Sequence, residues 1–204
     1  LPRSMVLHEL DIDTVSAAVS VDLTDEDTLT LDELDVNAFE TAIEKILQAR
    51  TIYVLGLRAS APIAEFFAHY LKFIFPNVRV VTSGVSDVFE QLARISEGDL
   101  LIGISFPRYT SRSIEAMEFA RSCGASLIAI TDGPLSPLHA TADTCLMAKS
   151  DMSSFVDSFA APLSLINALI VALGQRRRRE VTDYFDSMEQ IWDKYDVYLA
   201  KSGE

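Results

Sequence analysis

The sequence predicts an α/β protein, a three-layer αβα sandwich built on a five-stranded parallel sheet. Three observations carry that prediction. From about residue 51 onward, short apolar runs rich in β-branched residues alternate with helical patterns, the signature of repeated βαβ units whose sheet is covered on both faces. At 204 residues and 49% hydrophobic, the chain is long and apolar enough for one well-buried domain, with little left for a second. No internal repeat or low-complexity tract breaks the alternation.

Residues 1–35 are acidic and Thr-rich with no sustained period, and they read as an arm or linker; residues 36–204 read as the domain, C-terminal helices included. The first helix is "DVNAFETAIEKILQAR", with Val36, Phe39, Ile43, Ile46 and Leu47 at helical spacing and Asp35 placed to cap it. Five strands follow: "TIYVLG" at 51–56, "VRVVT" at 78–82, "LLIGIS" at 100–105, "SLIAIT" at 126–131 and "TCLMA" at 144–148. Helical patterns separate them near 61–75, 86–96, 110–123 and 135–142. Beyond the last strand, "SSFVDSFAAPLSLINALIVALGQ" reads as a largely buried helix and "EVTDYFDSMEQIWDKYDVYLA" as an amphipathic one. The former is apolar around most of its circumference, so a homodimer is expected, with this helix or "FDSMEQIWDKYDVYL" at the interface.

Charge and cysteine content narrow the function. Thirty acids against 17 Lys+Arg give a net charge of −13, so long-range attraction to nucleic acid or anionic lipid is not expected, and any bound anion must be held locally. Cys123 and Cys145, 22 residues apart with no second pair, fit neither a disulfide framework nor a zinc site and read as reduced, buried thiols. There is no run of about 18 apolar residues and no signal-peptide pattern, so a soluble, cytoplasmic protein is expected. The chain opens "LPRSM" without an initiator Met, and a missing upstream segment is expected.

In open parallel sheets, ligands sit beyond the C-terminal ends of the strands. After the first strand, "GLRASAPIAEFFAHYL" offers Gly56 for a tight turn, Ser60 to cap the next helix or bind a ligand, and Pro62 for its first turn, an arrangement that points backbone N–H groups above the sheet. It is not the dinucleotide fingerprint, because Arg58 stands where G-x-G-x-x-G needs its second glycine. After the third strand, "SFPRYTSRS" crowds Ser105, Thr110, Ser111 and Ser113 around a helix start and adds Arg108 and Arg112. Hydroxyls, backbone donors and guanidinium groups at a helix N-terminus suit a phosphate, although Thr110 or Ser111 also qualifies as an ordinary cap. After the fourth strand, "TDGPLSPLHATAD" has the chemistry of a structural turn, with Thr131 and Asp132 as further candidates for sugar hydroxyls.

Taken together, "GLRAS" and "ISFPRYTSRSIEAMEFARSCGASLIAITDGPLSPL" resemble the sugar isomerase (SIS) domain, and in particular the C-terminal effector domain of RpiR-type bacterial transcription regulators, over about residues 36–175. The resemblance implies the SIS fold, which is flavodoxin-like, with phosphosugar binding at the strand ends and a homodimer or higher homo-oligomer. By position Ser60 matches the serine of the first SIS loop, and Ser105 and Thr110 match the first serine and the threonine of the S-x-S-G-x-T phosphate loop. Pro107 and Arg108 replace the second serine and the glycine, which removes a hydroxyl and a backbone donor and supplies a guanidinium. The expected phosphosugar-binding residues are therefore Arg58, Ser60, Ser105, Arg108, Thr110 and Ser111, with no cofactor and no metal.

Aldose–ketose isomerisation needs a base near the sugar's C1 and C2. His8, His69 and His139 are the only histidines, and Glu65, Glu90 and Glu97 are the carboxylates that isomerase-type relatives would draw on from the flanking helices. The sensor reading is favoured over an isomerase using the same cradle, and a SIS-fold dimerisation module with an empty cradle is a third reading. The run "RRRR" at 176–179 reads as a helix terminus or as partners for nearby acids rather than as a DNA contact. The resemblance places a DNA-reading helix-turn-helix upstream of Leu1.

Overall fold

The computed structural model describes residues 35–150 and 158–198. The expected arm lies outside the described residues apart from Asp35, as do residues 153–157 of the buried helical pattern. Helix α1 (Val36–Gln48) begins at the Asp35 cap, whose carboxylate accepts the N–H groups of Asn37 and Ala38 at 2.9 and 3.1 Å. It buries Ala42, Ile43 and Ile46, while Val36, in the first turn, stays exposed.

Five parallel strands follow: β1 (Ile52–Gly56), β2 (Val78–Val81), β3 (Leu100–Ile104), β4 (Ser126–Thr131) and β5 (Thr144–Met147). Their order is β2-β1-β3-β4-β5. The central strands β1 and β3 are buried on both faces along their whole length, whereas the edge strands β2 and β5 alternate, as expected of a sheet sandwiched between helices.

The pleat divides the apolar residues between two cores. Ile52, Val54, Leu100, Ile102 and Ile128 face the layer built from α1, α2 (Ala61–Leu71) and α6 (Ala160–Arg176). Tyr53, Leu55, Leu101, Leu127 and Ala129 face α3 (Val88–Gln91), α4 (Ser111–Ser122) and α5 (Pro137–Thr141). Period-two side-chain alternation thus produces the three-layer sandwich directly. Helix α3 is shorter than the pattern at 86–96 suggests, because the chain leaves it through tight turns, Ala93 N–H to the Glu90 carbonyl and Ile95 N–H to the Leu92 carbonyl.

Helix α6 is covered within its own chain, by α1, α2 and α7 (Arg178–Lys194), so it does not need a second subunit to bury its apolar surface. Among the described residues, Ile191, Tyr195, Val197 and Tyr198 form a cluster of exposed apolar side chains at and beyond the end of α7, while Val36, Val85, Leu135 and Met147 are exposed elsewhere. The arginine run works as partners for nearby groups: Arg176 pairs with Glu40 of α1, and Arg177 donates to the Leu47 carbonyl at 3.2 Å while lying 5.0 Å over the Phe75 ring.

At the N-terminal end of the sheet, Arg50 grips the buried Asp99 carboxylate with two donors at 3.0 Å each, and the Ser96 N–H adds a third at 3.0 Å. That clasp joins the residues entering β1 and β3. At the opposite end, the chain departs to one side after β1 to reach β2 and to the other side to reach β3, which opens a crevice between the two outgoing loops. Among the described residues no helix is long and apolar enough to cross a membrane.

Candidate functional site

The loop after β1 is shaped by a close approach at Gly56. A Cβ there would stand 2.5 Å from the Ser60 carbonyl oxygen and 2.6 Å from Ala64 Cβ, so only glycine lets the Arg58–Ser60 turn fold back against the strand. Arg58 takes a left-handed conformation (φ 55°) within that turn and its side chain is exposed. Ser60 donates its N–H to the Leu57 carbonyl at 3.1 Å, and its buried side chain makes no cap hydrogen bond to α2. Of the two roles open to Ser60 from the sequence, capping is not the one adopted.

The loop after β3 is held from beneath. Ser105 N–H donates to the Ile130 carbonyl at 3.1 Å, and the Ser105 carbonyl accepts the Thr131 hydroxyl at 2.7 Å. The Thr131 oxygen also lies 2.8 Å from Ser136 Oγ, and Tyr109 donates its phenol to the Asp132 carboxylate. Burial first, and the neighbouring Asp132 carboxylate second, push the Tyr109 phenol above its ordinary value, so it is a protonated donor at neutral pH. Thr131 and Asp132 are therefore spent on holding two loops together, which is the structural-turn role.

Thr110 caps α4, accepting the Ser113 N–H at 3.2 Å and sharing a proton with Ser113 Oγ across 2.8 Å. Ser113 is buried, while Ser111 and Arg108 are exposed on the same turn. When Ser113 is the donor in that pair, the Thr110 hydroxyl keeps its own proton for a ligand.

Arg58, Ser60, Ser105, Arg108, Thr110 and Ser111, the expected site residues, come together as the lining of one cleft of about 490 Å³ between the two loops. Apart from Tyr109 its remaining described wall is apolar, with Phe106 and Phe159 at 5.8 Å between ring centroids. Phe159 stands at the start of α6, more than 50 residues from Phe106 in sequence, and no local pattern marks it. A second cleft of about 520 Å³ adjoins the first, shares Leu57, Arg58 and Thr110 with it, and is bounded by Ser83, Ser86, Asp87 and Arg112.

Arg112 spans that second cleft's wall. It pairs with Asp87 at 2.7 Å and Glu115 at 3.2 Å, and its guanidinium lies 4.8 Å from the centroid of the Phe89 ring. The Phe89 N–H, then Arg112, hold the Asp87 carboxyl below the usual carboxylate range, so this pair is charged at neutral pH. By contrast, Arg58 and Arg108 make no ion pair among the described residues. Among the described residues the two clefts together carry three guanidinium groups against one carboxylate, a local reversal of the chain's acidity.

The candidate bases lie elsewhere. Glu90 closes the capping box of α3 by accepting the Asp87 N–H, Glu65 and Glu97 are exposed, and neither cleft is lined by Glu or His among the described residues. His69 packs edge-on against Tyr70 and Phe73, His139 lies in α5, and His8 is outside the described residues. Both cysteines are free and partly buried; burial, with the Asp132 charge adding to it, pushes the Cys145 thiol up to about 11.

Comparison with known proteins gives a consistent picture. The model of the SIS domain matches residues 45–172. The chain is 27% identical over 169 residues, 79% of its own length, to an uncharacterised HTH-type transcriptional regulator of Caldanaerobacter subterraneus subsp. tengcongensis, of which it spans 58%. Among solved structures it is similar to the sugar isomerase domain of an RpiR transcription factor from Sphaerobacter thermophilus, with a TM-score of 0.78 and 26% identity, covering 87% of this chain and 97% of that one. The fold is shared with the NanR protein of Vibrio vulnificus, solved in complex with ManNAc-6P, at a TM-score of 0.71 and 21% identity, over 96% of this chain and 73% of that one.

Proposed function

Because the chain belongs to the SIS domain family, we propose that it is the phosphosugar-sensing effector part of a transcription regulator, with the phosphate held between the loops that follow β1 and β3. The observation that carries this reading is the convergence of Ser60, Ser105, Thr110 and Ser111 hydroxyls with the Arg58 and Arg108 guanidinium groups in a single cleft at the start of α4. A phosphate dianion matches that set: hydroxyl and backbone donors supply directed hydrogen bonds, and arginine supplies charge-assisted ones. The HTH-type relative and the sugar phosphate in the NanR complex support the same class of role. DNA contact would belong to a segment outside the residues described here.

The effector acts by population shift: a ligand that fits one arrangement of the two loops better than another favours that arrangement and the subunit packing that goes with it. The subunits pair through the exposed apolar end of α7, at Ile191, Tyr195 and Tyr198. The described lining of the clefts supports binding rather than turnover, since the one carboxylate among the described residues there, Asp87, is already engaged by Arg112.

A thermal-shift screen with pentose and hexose phosphates, their free sugars and inorganic phosphate tests the reading. At a hundredfold excess over Kd, a ligand of the folded state adds about 2.7 kcal/mol. The expected result is stabilisation by a phosphosugar, absent with its free sugar and lost in Ser105→Ala, together with sedimentation as a dimer that Tyr195→Asp weakens. No shift with any phosphorylated compound defeats the phosphate cradle, and turnover of the stabilising compound replaces the sensor with an isomerase.

A further inference from the structure

The cradle accounts for a phosphate and leaves open where the rest of the molecule lies. The described surroundings allow one polar direction. Toward α6 the cleft ends in Phe106 and Phe159, which offer a chain of hydroxyls no partner. Toward β4 it is closed, because Thr131 is fully buried with its hydroxyl given to the Ser105 carbonyl and Asp132 is taken by Tyr109. Toward β2 it adjoins, across the shared Arg58 and Thr110, the second cleft, which the exposed Ser83 and Ser86 line together with the Asp87–Arg112 pair.

Resting on the phosphosugar reading, we propose that the sugar's carbon chain runs from the cradle past Thr110 into this second cleft, and that the Asp87–Arg112 pair is its specificity-determining element. Polyol recognition needs acceptors and donors fixed beside each other, since each sugar hydroxyl both gives and takes a hydrogen bond. The pair supplies both. Asp87 is immobilised as the α3 cap by the Phe89 N–H at 3.0 Å, and Arg112 is immobilised by two carboxylates and by the Phe89 ring beneath it. A guanidinium carries five N–H donors, more than its two carboxylate contacts consume, and each carboxylate oxygen accepts more than one hydrogen bond. Because both groups are held before a ligand arrives, little conformational freedom is lost when one binds, and a hydroxyl of the wrong configuration meets a donor or acceptor it cannot satisfy. Ser83 and Ser86 stand on the loop after β2, whose ends Gln91 holds through the Thr82 and Ser86 carbonyls, and complete the contact.

Titration calorimetry on the full chain, with inorganic phosphate, glycerol 3-phosphate and a panel of pentose and hexose phosphates, separates the two parts of the site. The expected result is that the preferred sugar phosphate binds more tightly than inorganic phosphate, and that this preference shrinks about tenfold or more in Arg112→Gln and in Asp87→Asn, the loss of a hydrogen bond to a charged group. Asn is as good a helix cap as Asp, so Asp87→Asn keeps α3 in place and decides the matter if Arg112→Gln fails to fold. In the wild-type chain, backbone amide NMR signals of residues 83–88 should respond to the sugar phosphate and not to inorganic phosphate. A preference unchanged in Asp87→Asn, or silent amides at 83–88 while those of the cradle respond, overturns the inference and leaves the cradle standing. Absence of binding by every phosphorylated compound overturns both.

Discussion

Thr131 shows how much depends on single hydroxyls at the crevice. Its side chain is fully buried at the end of β4, and its proton goes to the Ser105 carbonyl, so it ties the β4 loop to the segment that presents the cradle. Replacing it with valine keeps the volume and removes the donor. Thr131→Val is expected to cost about 1–3 kcal/mol, the penalty for a buried carbonyl left unpaired, measured by urea denaturation. Its effect on ligand affinity should exceed that of Thr141→Val, whose hydroxyl bonds only within its own helix. The same residue marks a limit of the sequence. Ser105 and Thr110 are legible because hydroxyls crowd a strand end before a helical pattern, yet nothing local says that Thr131 faces Ser105, 26 residues away, rather than a ligand. That choice is made by β3 and β4 lying side by side.

At the scale of elements, the strands read well because each is a short β-branched run bounded by turn residues, and all five fall where the runs do. The partners that complete the clefts read poorly. Asp87 announces itself as a cap, since Asp-x-x-Glu is a capping box, but its pairing with Arg112, 25 residues on, follows from α3 and α4 covering the same face of the sheet. Phe159 enters the cleft only because α6 returns from beyond β5. The β1–α2 junction is the element most exposed to one substitution. In Gly56→Ala the new methyl meets a backbone oxygen and a fixed Cβ, neither of which can rotate away, so the turn must shift. The expected cost is about 1–3 kcal/mol in denaturation, accompanied by weakened phosphate binding as Ser60 is displaced.

Across the whole molecule, the two ends of the sheet have different chemistry. Burial alone would raise the Asp99 carboxyl; Arg50 and the Ser96 N–H outweigh it and hold the carboxyl below its ordinary value. A carboxyl with a depressed folded-state pKa contributes stability that is present above the unfolded value, about 3.9, and is lost as pH falls below it. Denaturation measured from pH 7 down to pH 3 should therefore show an acid decline that Asp99→Asn makes shallower, with lower stability at pH 7. The share of that decline removed by Asp99→Asn should be the same with and without a bound phosphate ester, because Asp99 precedes β3 and the clefts follow it.

That separation has a use in engineering. The Arg50–Asp99 clasp belongs to the foundation, whereas Ser83, Gly84, Val85 and Ser86 are exposed residues between an edge strand and a short helix. A library confined to those four positions, with Asp87 and the clasp retained, changes the surface proposed to read the sugar without touching either hydrophobic core. The domain is in this sense a chassis with a replaceable reading head, suited to conversion into a genetically encoded reporter for a chosen metabolite.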